Sequence, residues 1–472
     1  MNEARLYFGS TPAIKEKIGE IKSPFNDKVV SIFPICNADD AKKALKIAKE
    51  AFEKSKEFPL SRRVEWIKDV AKKIKENKEE FALSITKEVG KPISFSRVEV
   101  DRCIETLELS AQAAIGLVGE TINTDATLSG KKTQAFYKRV PLGVVVAITP
   151  FNFPLNLAAH KLGPALVAGN SVVFKPTPEA PYTGYLLAKT FIESEYAIPD
   201  MLSVVYGDAE VGNALVSSDI PRKISFTGSV AVGKIIMKNA GIKKVSLELG
   251  GNAATFIDKS ADLDMAASRC SVGAFVNSGQ VCISLQRIYV HEDVYEEFAK
   301  KLAEDTHRLK VGDPYEPDTF MGPLINEEAA IRAQNWVESA IKAGARAILP
   351  PKREGRYFYP AILADVTPDM KIVCEEVFAP IVSLVKVKSY DEAIKMMNDS
   401  PYGLQFSIFT NDLNITKRFI DDAEAGGVVI NDIPTLRFDI QPYGGVKLSG
   451  IGREGPKFAI EEFTEIKSVV IC

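Results

Sequence analysis

From Gly143 onward the chain repeats one unit, and that repeat limits the folds open to it more than any other feature. Gly143-Val-Val-Val-Ala-Ile148 is apolar at every position. A strand with one wet face alternates polar and apolar residues. One without alternation is buried on both faces, the condition of a parallel sheet covered by helices. Residues 149–154 break the run, and 155–168 resume with helical period. Ser171-Val-Val-Phe174 repeats the strand, Lys175-Pro176-Thr177-Pro178 the break, and 182–194 the helix. Residues 202–206, 223–226 and 244–247 read as further strands. This alternation predicts a doubly wound α/β domain. Its ligands belong at the C-terminal strand ends, where these turns fall.

A second α/β unit follows Asn252, with strands expected at 253–257, 287–290, 381–385 and 428–431 and helices at 262–276, 294–309 and 327–343. Ahead of the repeat, 38–57 has helical period with Asp39 and Asp40 leading, as a helix N-terminus prefers. Residues 61–89 read as one longer amphipathic helix carrying Trp66, stopped by Gly90 and Pro92. A further helix is expected over 98–119.

At 472 residues the chain has ample core for two or three domains. A net charge of −3 gives no electrostatic case for nucleic acid or an acidic membrane surface. No apolar run approaches the roughly 18 residues of a membrane span. Residues 1–17 are charged and lack the apolar core of a signal peptide, so a cytoplasmic protein is expected. Six cysteines without a CxxC pair and three scattered histidines argue against zinc or any other metal site. No G-x-S-x-G elbow is present for a serine hydrolase. An enzyme of this composition must work through a thiol and carboxylates, with an organic cofactor.

The candidate thiol is Cys282, in Asn277-Ser-Gly-Gln-Val-Cys282, between a helical and a strand-like segment. A thiol there acts as a nucleophile where dipoles or bases lower its pKa; standing alone it is more often a buried structural cysteine. Phe226-Thr-Gly228-Ser229-Val-Ala-Val-Gly233-Lys234 follows a strand and opens a helix. It nearly matches a P-loop, but Ile235 occupies the position of the Mg²⁺-binding hydroxyl, which rejects a nucleoside triphosphatase. A glycine-bordered turn at a helix N-terminus still suits a pyrophosphate.

Taken with Thr149-Pro-Phe-Asn152-Phe-Pro154 and Glu248-Leu-Gly-Gly251-Asn252, these stretches in this order make the chain resemble the aldehyde dehydrogenase superfamily over nearly its whole length. The resemblance is closest to the lactaldehyde and glycolaldehyde dehydrogenase and non-phosphorylating glyceraldehyde-3-phosphate dehydrogenase branch. It implies two doubly wound Rossmann-like domains plus a small β oligomerisation arm. The cofactor domain is then expected over 1–118 and 138–249, the catalytic domain over 250–440, and the arm over 119–137 and 456–472. The arm implies a homodimer or homotetramer.

The resemblance also assigns roles. Cys282 is the nucleophile that becomes a thioester, Asn152 and the Cys282 N–H hold the oxyanion, and Glu248 activates the hydrolytic water. NADP or NAD is expected along Ile148, Thr149, Pro150 and Phe151, then Lys175, Thr177 and Pro178. It continues past Phe226, Thr227, Gly228, Ser229 and Val232 to Leu249 and Gly250. Glu376 and Phe378, in Glu376-Val-Phe378-Ala-Pro380, are implied to hold the nicotinamide ribose and pack on the cofactor. Three residues after Lys175 the family's acid, which favours NAD, is replaced by Pro178, with Glu179 one step on. Loss of that acid favours NADP.

The run Pro442-Tyr-Gly444-Gly445-Val-Lys-Leu-Ser449-Gly450 completes the likeness, with Tyr443 and Ala379 differing conservatively from the commoner residues. Substrate choice is expected to rest on Phe153, His160, Val281, Ile283 and Arg437. Relatives that take phosphorylated or phosphonate substrates carry arginine just before the nucleophile; Val281 argues against such a substrate. The loop ending Leu-Arg437-Phe-Asp points to a small hydroxyaldehyde such as lactaldehyde or glycolaldehyde. Succinic semialdehyde, with Arg437 or Arg102 as carboxylate partner, and glyceraldehyde-3-phosphate are the alternatives. A CoA-acylating enzyme and an inactive structural relative stay open beside them.

Overall fold

The computed structural model describes residues 1–471; Cys472, the last residue of the expected arm, lies outside the described residues. The apolar runs form the sheet they call for. Val144–Ile148, Ser171–Lys175, Leu202–Val204, Lys223–Thr227 and Lys244–Glu248 are parallel strands. They lie in the order 244–248, 223–227, 144–148, 171–175, 202–204. The order reverses between Val144–Ile148 and Lys223–Thr227, which opens a crevice at their C-terminal ends. Gly450–Ile451 and Leu6–Phe8 close the edges in antiparallel register, and Thr11–Ala13 extends the latter.

The second sheet runs in the order Arg346–Leu349, Ala361–Ala364, Ile381–Val387, Leu285–His291, Ala253–Ile257, Gln405–Phe409, Gly427–Ile430, with only the first strand antiparallel. A three-stranded antiparallel sheet joins Thr121–Asn123, Gln134–Pro141 and Thr464–Ile471, paired from Thr464 opposite Pro141 to Ile471 opposite Gln134. Ahead of that last strand, the Pro456–Glu462 helix buries Ala459 and Ile460 in the core of the first sheet.

The helix expected over 61–89 is two helices, Leu60–Glu76 and Lys78–Val89. Asn77, at φ −113° and ψ 25°, leaves helical geometry between them, and its Nδ2 donates to the Lys73 carbonyl at 2.8 Å. The apolar period survives the break, so the pattern read as continuous. The helix expected over 98–119 runs Ile93–Ile115. The N-terminal three-stranded sheet of Asn2–Glu3, Val29–Pro34 and Ile18–Lys22 had no signal strong enough to read. Among the described residues no helix is long and apolar enough to cross a membrane.

Candidate active site

Cys282 follows the turn Val276–Gly279 and precedes the Leu285–His291 strand. Asn277, Ser278 and Gly279 have φ of 52°, 56° and 70°, three left-handed residues in succession. Such residues other than glycine persist where their surroundings over-determine them. Here Ser278 Oγ donates to the Gly322 carbonyl at 2.7 Å, and Gln280 Oε1 accepts the Ile325 N–H at 2.9 Å. Gly279 leaves no room for a side chain, since a Cβ there would sit 2.3 Å from the Ala379 carbonyl oxygen. Gly251 does the same on the other side, where a Cβ would meet the Cys282 carbonyl oxygen at 2.2 Å. The thiol is therefore delivered by a turn clamped between two other loops.

Asn152 sits on the turn after the Val144–Ile148 strand and is buried. Its Nδ2 donates to the Gln280 carbonyl at 3.1 Å, and its Oδ1 accepts the Phe153 N–H at 3.1 Å. One amide hydrogen thus ties Asn152 to the cysteine turn, and the second is left for a ligand. Glu248 ends the Lys244–Glu248 strand, buried, with neither carboxylate oxygen hydrogen-bonded among the described residues. Burial and the Glu454 charge push its pKa well above the carboxylate range, against Lys161, Arg437 and Arg453. A buried carboxylate without partners needs an explanation, and the cavity it lines supplies one.

Cys282 Sγ lies 3.1 Å from the Tyr443 hydroxyl. Burial pushes the thiol up to about 11, while the Tyr443 hydrogen bond and Arg437 pull it down. The sulfur stands where two cavities meet. The first, about 350 Å³, is lined by Asn152, Glu248 and Cys282 with Pro150, Phe151, Thr227, Gly228, Ser229, Leu249, Gly250, Glu376 and Phe378. The second, about 160 Å³, is lined by Phe153, Val281, Ile283 and Arg437 together with Lys91, Arg102 and Tyr443.

A further cavity of about 330 Å³ on the first sheet collects Ile148, Lys175, Pro178, Phe226 and Val232. Ser229 caps the Val230–Asn239 helix by accepting the Val232 N–H at 3.3 Å, so a helix N-terminus opens at this cleft. Thr149 and Thr227 present buried hydroxyls without partners among the described residues. Thr177 lines none of these cavities and donates its hydroxyl to Glu179, turning that acid aside. Glu376 accepts the Gly251 N–H at 3.1 Å, and burial raises it to about 7, opposed by Gly251 and Arg332. Phe378 is left-handed at φ 50° and meets Phe151 edge-on at 6.0 Å. Orphaned hydroxyls, a helix N-terminus and aromatic walls suit an anionic, planar cofactor.

His160 is not in the substrate cavity, contrary to the expectation from sequence. It is fully buried one layer behind, its Nε2 2.9 Å from Asp439 Oδ1. Asp439 also receives Nε and Nη2 of Arg102, both at 2.8 Å. Arg437 pairs with Glu454 at 3.3 Å and lies over the Tyr443 ring at 3.6 Å. Lys91 pairs with Glu99 and covers the Phe153 ring at 3.8 Å. Each cation facing the small cavity is matched by a carboxylate. Lys91 and Glu99 carry no mark in the sequence, and Tyr443 and Asp439 stand in quoted runs without a role of their own, because nothing local marks a contact between distant segments.

An aldehyde dehydrogenase family model matches residues 11–469. A 3-sulfolactaldehyde dehydrogenase of Priestia aryabhattai is 43% identical over 96% of this chain and 94% of its own length. A lactaldehyde dehydrogenase of Methanococcus aeolicus is 40% identical over 97% and 98%. The NADP-dependent glyceraldehyde-3-phosphate dehydrogenase of Bacillus halodurans, solved with NADP, superposes with a TM-score of 0.97 at 33% identity over 100% and 99%. With a family match across nearly its full length and relatives at two-fifths identity or more, the chain belongs to the aldehyde dehydrogenase family.

Proposed function

We propose that this protein oxidises a small 2-hydroxyaldehyde of the lactaldehyde type to its carboxylic acid, with NADP as the favoured acceptor and NAD as the alternative. One observation carries the reading: a single sulfur lines both a cofactor-sized cleft and a cavity of about 160 Å³. That volume is below the ~300–1,000 Å³ of drug-sized ligand pockets, so it suits a molecule of few atoms.

Burial raises the Cys282 thiol, so its proton is given up to solvent before attack, and Glu248, which lines the same cleft, is kept for the later step. The thiolate then forms a C–S bond with the aldehyde carbon. The carbonyl oxygen gains the negative charge and meets the free Asn152 amide hydrogen and the Cys282 N–H. Preorganised donors of this kind each lower a barrier by roughly 3 kcal/mol. A bound nicotinamide supplies the acceptor for the hydride that leaves carbon. The chain is left as a Cys282 thioester, and Glu248 takes a proton from water as that water displaces the sulfur. A base so placed favours hydrolysis over transfer to CoA, which needs none.

NADP is supported by Pro178 beside Lys175 in the cavity and by Glu179 turned to Thr177. A second reading has one specific support. Arg102 keeps a quarter of its side chain exposed at the small cavity, and only its Nε and Nη2 engage Asp439. Its remaining nitrogen suits an anionic tail, as in 3-sulfolactaldehyde. We further infer assembly into a dimer or tetramer through the three-stranded arm.

The test is NAD(P)H formation from lactaldehyde, glycolaldehyde, succinic semialdehyde, 3-sulfolactaldehyde and glyceraldehyde-3-phosphate, with each cofactor, with and without CoA. Lactaldehyde with NADP, independent of CoA, is expected to give the highest kcat/KM. A sulfonate or phosphate substrate at least tenfold better would replace the first reading with the second. The Cys282→Ser variant is expected to keep NADP binding and lose turnover; full turnover would remove the nucleophile from this account.

A further inference from the structure

We propose that Tyr443 is a catalytic residue: its phenol donates a hydrogen bond to the Cys282 sulfur and holds the thiolate poised between the two cavities. The inference rests on the reading of Cys282 as nucleophile and adds a group in direct contact with the reacting atom.

The hydroxyl lies 3.1 Å from Sγ, within reach of a hydrogen bond to sulfur. Either group donates while the cysteine is a thiol, but once the sulfur is ionised only the phenol has a proton to give. Burial keeps that phenol protonated, since Tyr443 is held well above its ordinary value by burial and by the Cys282 charge. The ring cannot drift. Tyr443 N–H donates to the Glu454 carbonyl at 3.1 Å and the Glu454 N–H returns a bond to the Tyr443 carbonyl at 2.6 Å. Arg437 covers one ring face at 3.6 Å and is itself held by Glu454. A guanidinium over the ring draws charge from the phenol and strengthens it as a donor.

The electrostatic setting gives this donor a purpose. Glu376 and Glu248 face the sulfur and push its proton affinity up, as does burial; Arg437 and Tyr443 act the other way. Lys91 and Arg102 line the same cavity, but each is paired with a carboxylate, Glu99 or Asp439. Tyr443 is thus the uncharged group in contact with sulfur that stabilises its anion. As the C–S bond forms, the charge moves from sulfur to the carbonyl oxygen, and Tyr443 keeps its proton throughout. When water later displaces the sulfur, the same donor receives the departing thiolate.

Tyr443→Phe removes the hydroxyl and leaves the ring under Arg437. The experiment is the rate of iodoacetamide modification of Cys282 in the apoprotein across pH 6 to 11, read by mass mapping. One hydrogen bond is comparable to about one pH unit of acidity. The variant is expected to alkylate about tenfold more slowly at a fixed pH below the midpoint, with the whole profile displaced to higher pH. NADP affinity is expected to stay within about twofold, which separates this effect from a collapsed site. Superimposable profiles would overturn the proposal. Because alkylation is read without substrate or turnover, it reports the hydrogen bond alone, whereas retained turnover in C282S would fail the nucleophile reading itself.

Discussion

Glu248 shows at the scale of one residue how burial sets chemistry. Its carboxylate has no hydrogen-bond partner among the described residues, and burial with the Glu454 charge raises its pKa. A general base must be ionised to act, so a raised pKa makes turnover fall on acidification already above the ordinary carboxylate range. Glu248→Gln is expected to abolish that acid limb. It should also lower steady-state kcat by about 10²–10⁴-fold, the usual contribution of a general base. The first turnover is expected to survive as a burst of NADPH near one per subunit, seen by stopped flow. No burst with equally slow single turnovers would move Glu248 out of thioester hydrolysis.

The meeting of Asn152, Glu248 and Cys282 at one cleft was legible because each lies in a short string whose neighbours are constrained: glycines after Glu248, prolines around Asn152, small residues before Cys282. Tyr443 read as a conservative change because its meaning is a contact 161 residues away. The resemblance puts His160 in the pocket, and Asp439 holds it outside the cavity lining instead.

At the scale of elements, the Asn156–Val167 helix starts without a side-chain cap of its own, with Leu155 in the capping position. Glu99, from the Ile93–Ile115 helix, supplies the cap: its Oε1 accepts the Leu155 and Asn156 N–H groups at 2.9 and 3.2 Å. Those amides follow Asn152 by three and four positions, so the cap sets the loop that carries Asn152. Lys91 neutralises Glu99 with both side chains fully buried. Breaking one partner of such a pair costs about 3–5 kcal/mol, because a buried charge is left alone. Glu99→Gln is expected to lower denaturant stability by that order and kcat more than KM. Adding Lys91→Met should restore much of the stability. Additive losses in the double variant would show that the two side chains do not act as a pair.

Element boundaries were the less readable part. Asn77 divides the helices with a signal that was present, since Glu79 and Glu80 follow it as acids follow a helix start. The amphipathic period runs through it unbroken and hides the division. The short N-terminal strands owe their existence to partners such as Val29–Pro34 and not to any alternation of their own.

At the scale of the molecule, the first sheet presents the C-terminal ends of its strands to the cleft, as a parallel sheet does for ligands. The second sheet does the reverse. Cys282, Gly251 and Glu376 all precede the strands they lead into, Leu285–His291, Ala253–Ile257 and Ile381–Val387. One sheet thus offers its strand ends and the other its strand beginnings across a single gap, an arrangement that strand periodicity does not encode. The arm follows from simpler physics. Thr464–Ile471 is the edge of its three-stranded sheet, with one row of backbone groups unpaired in the single chain. Ile466 and Val470 share a face of that strand and are more than half exposed, and Ile122 is nearly so. A long apolar edge invites pairing with another copy, and Ile235, Met237 and Ile242 add exposed apolar surface at the Val230–Asn239 helix and just beyond it. Light scattering at micromolar concentration is therefore expected to give a dimer or larger closed assembly. Ile466→Lys with Val470→Lys should shift it toward monomer without moving the Cys282 alkylation profile, because the strand lies apart from both cavities at the sulfur. A wild-type monomer under those conditions would sever the arm from assembly and leave its apolar face in need of another occupant.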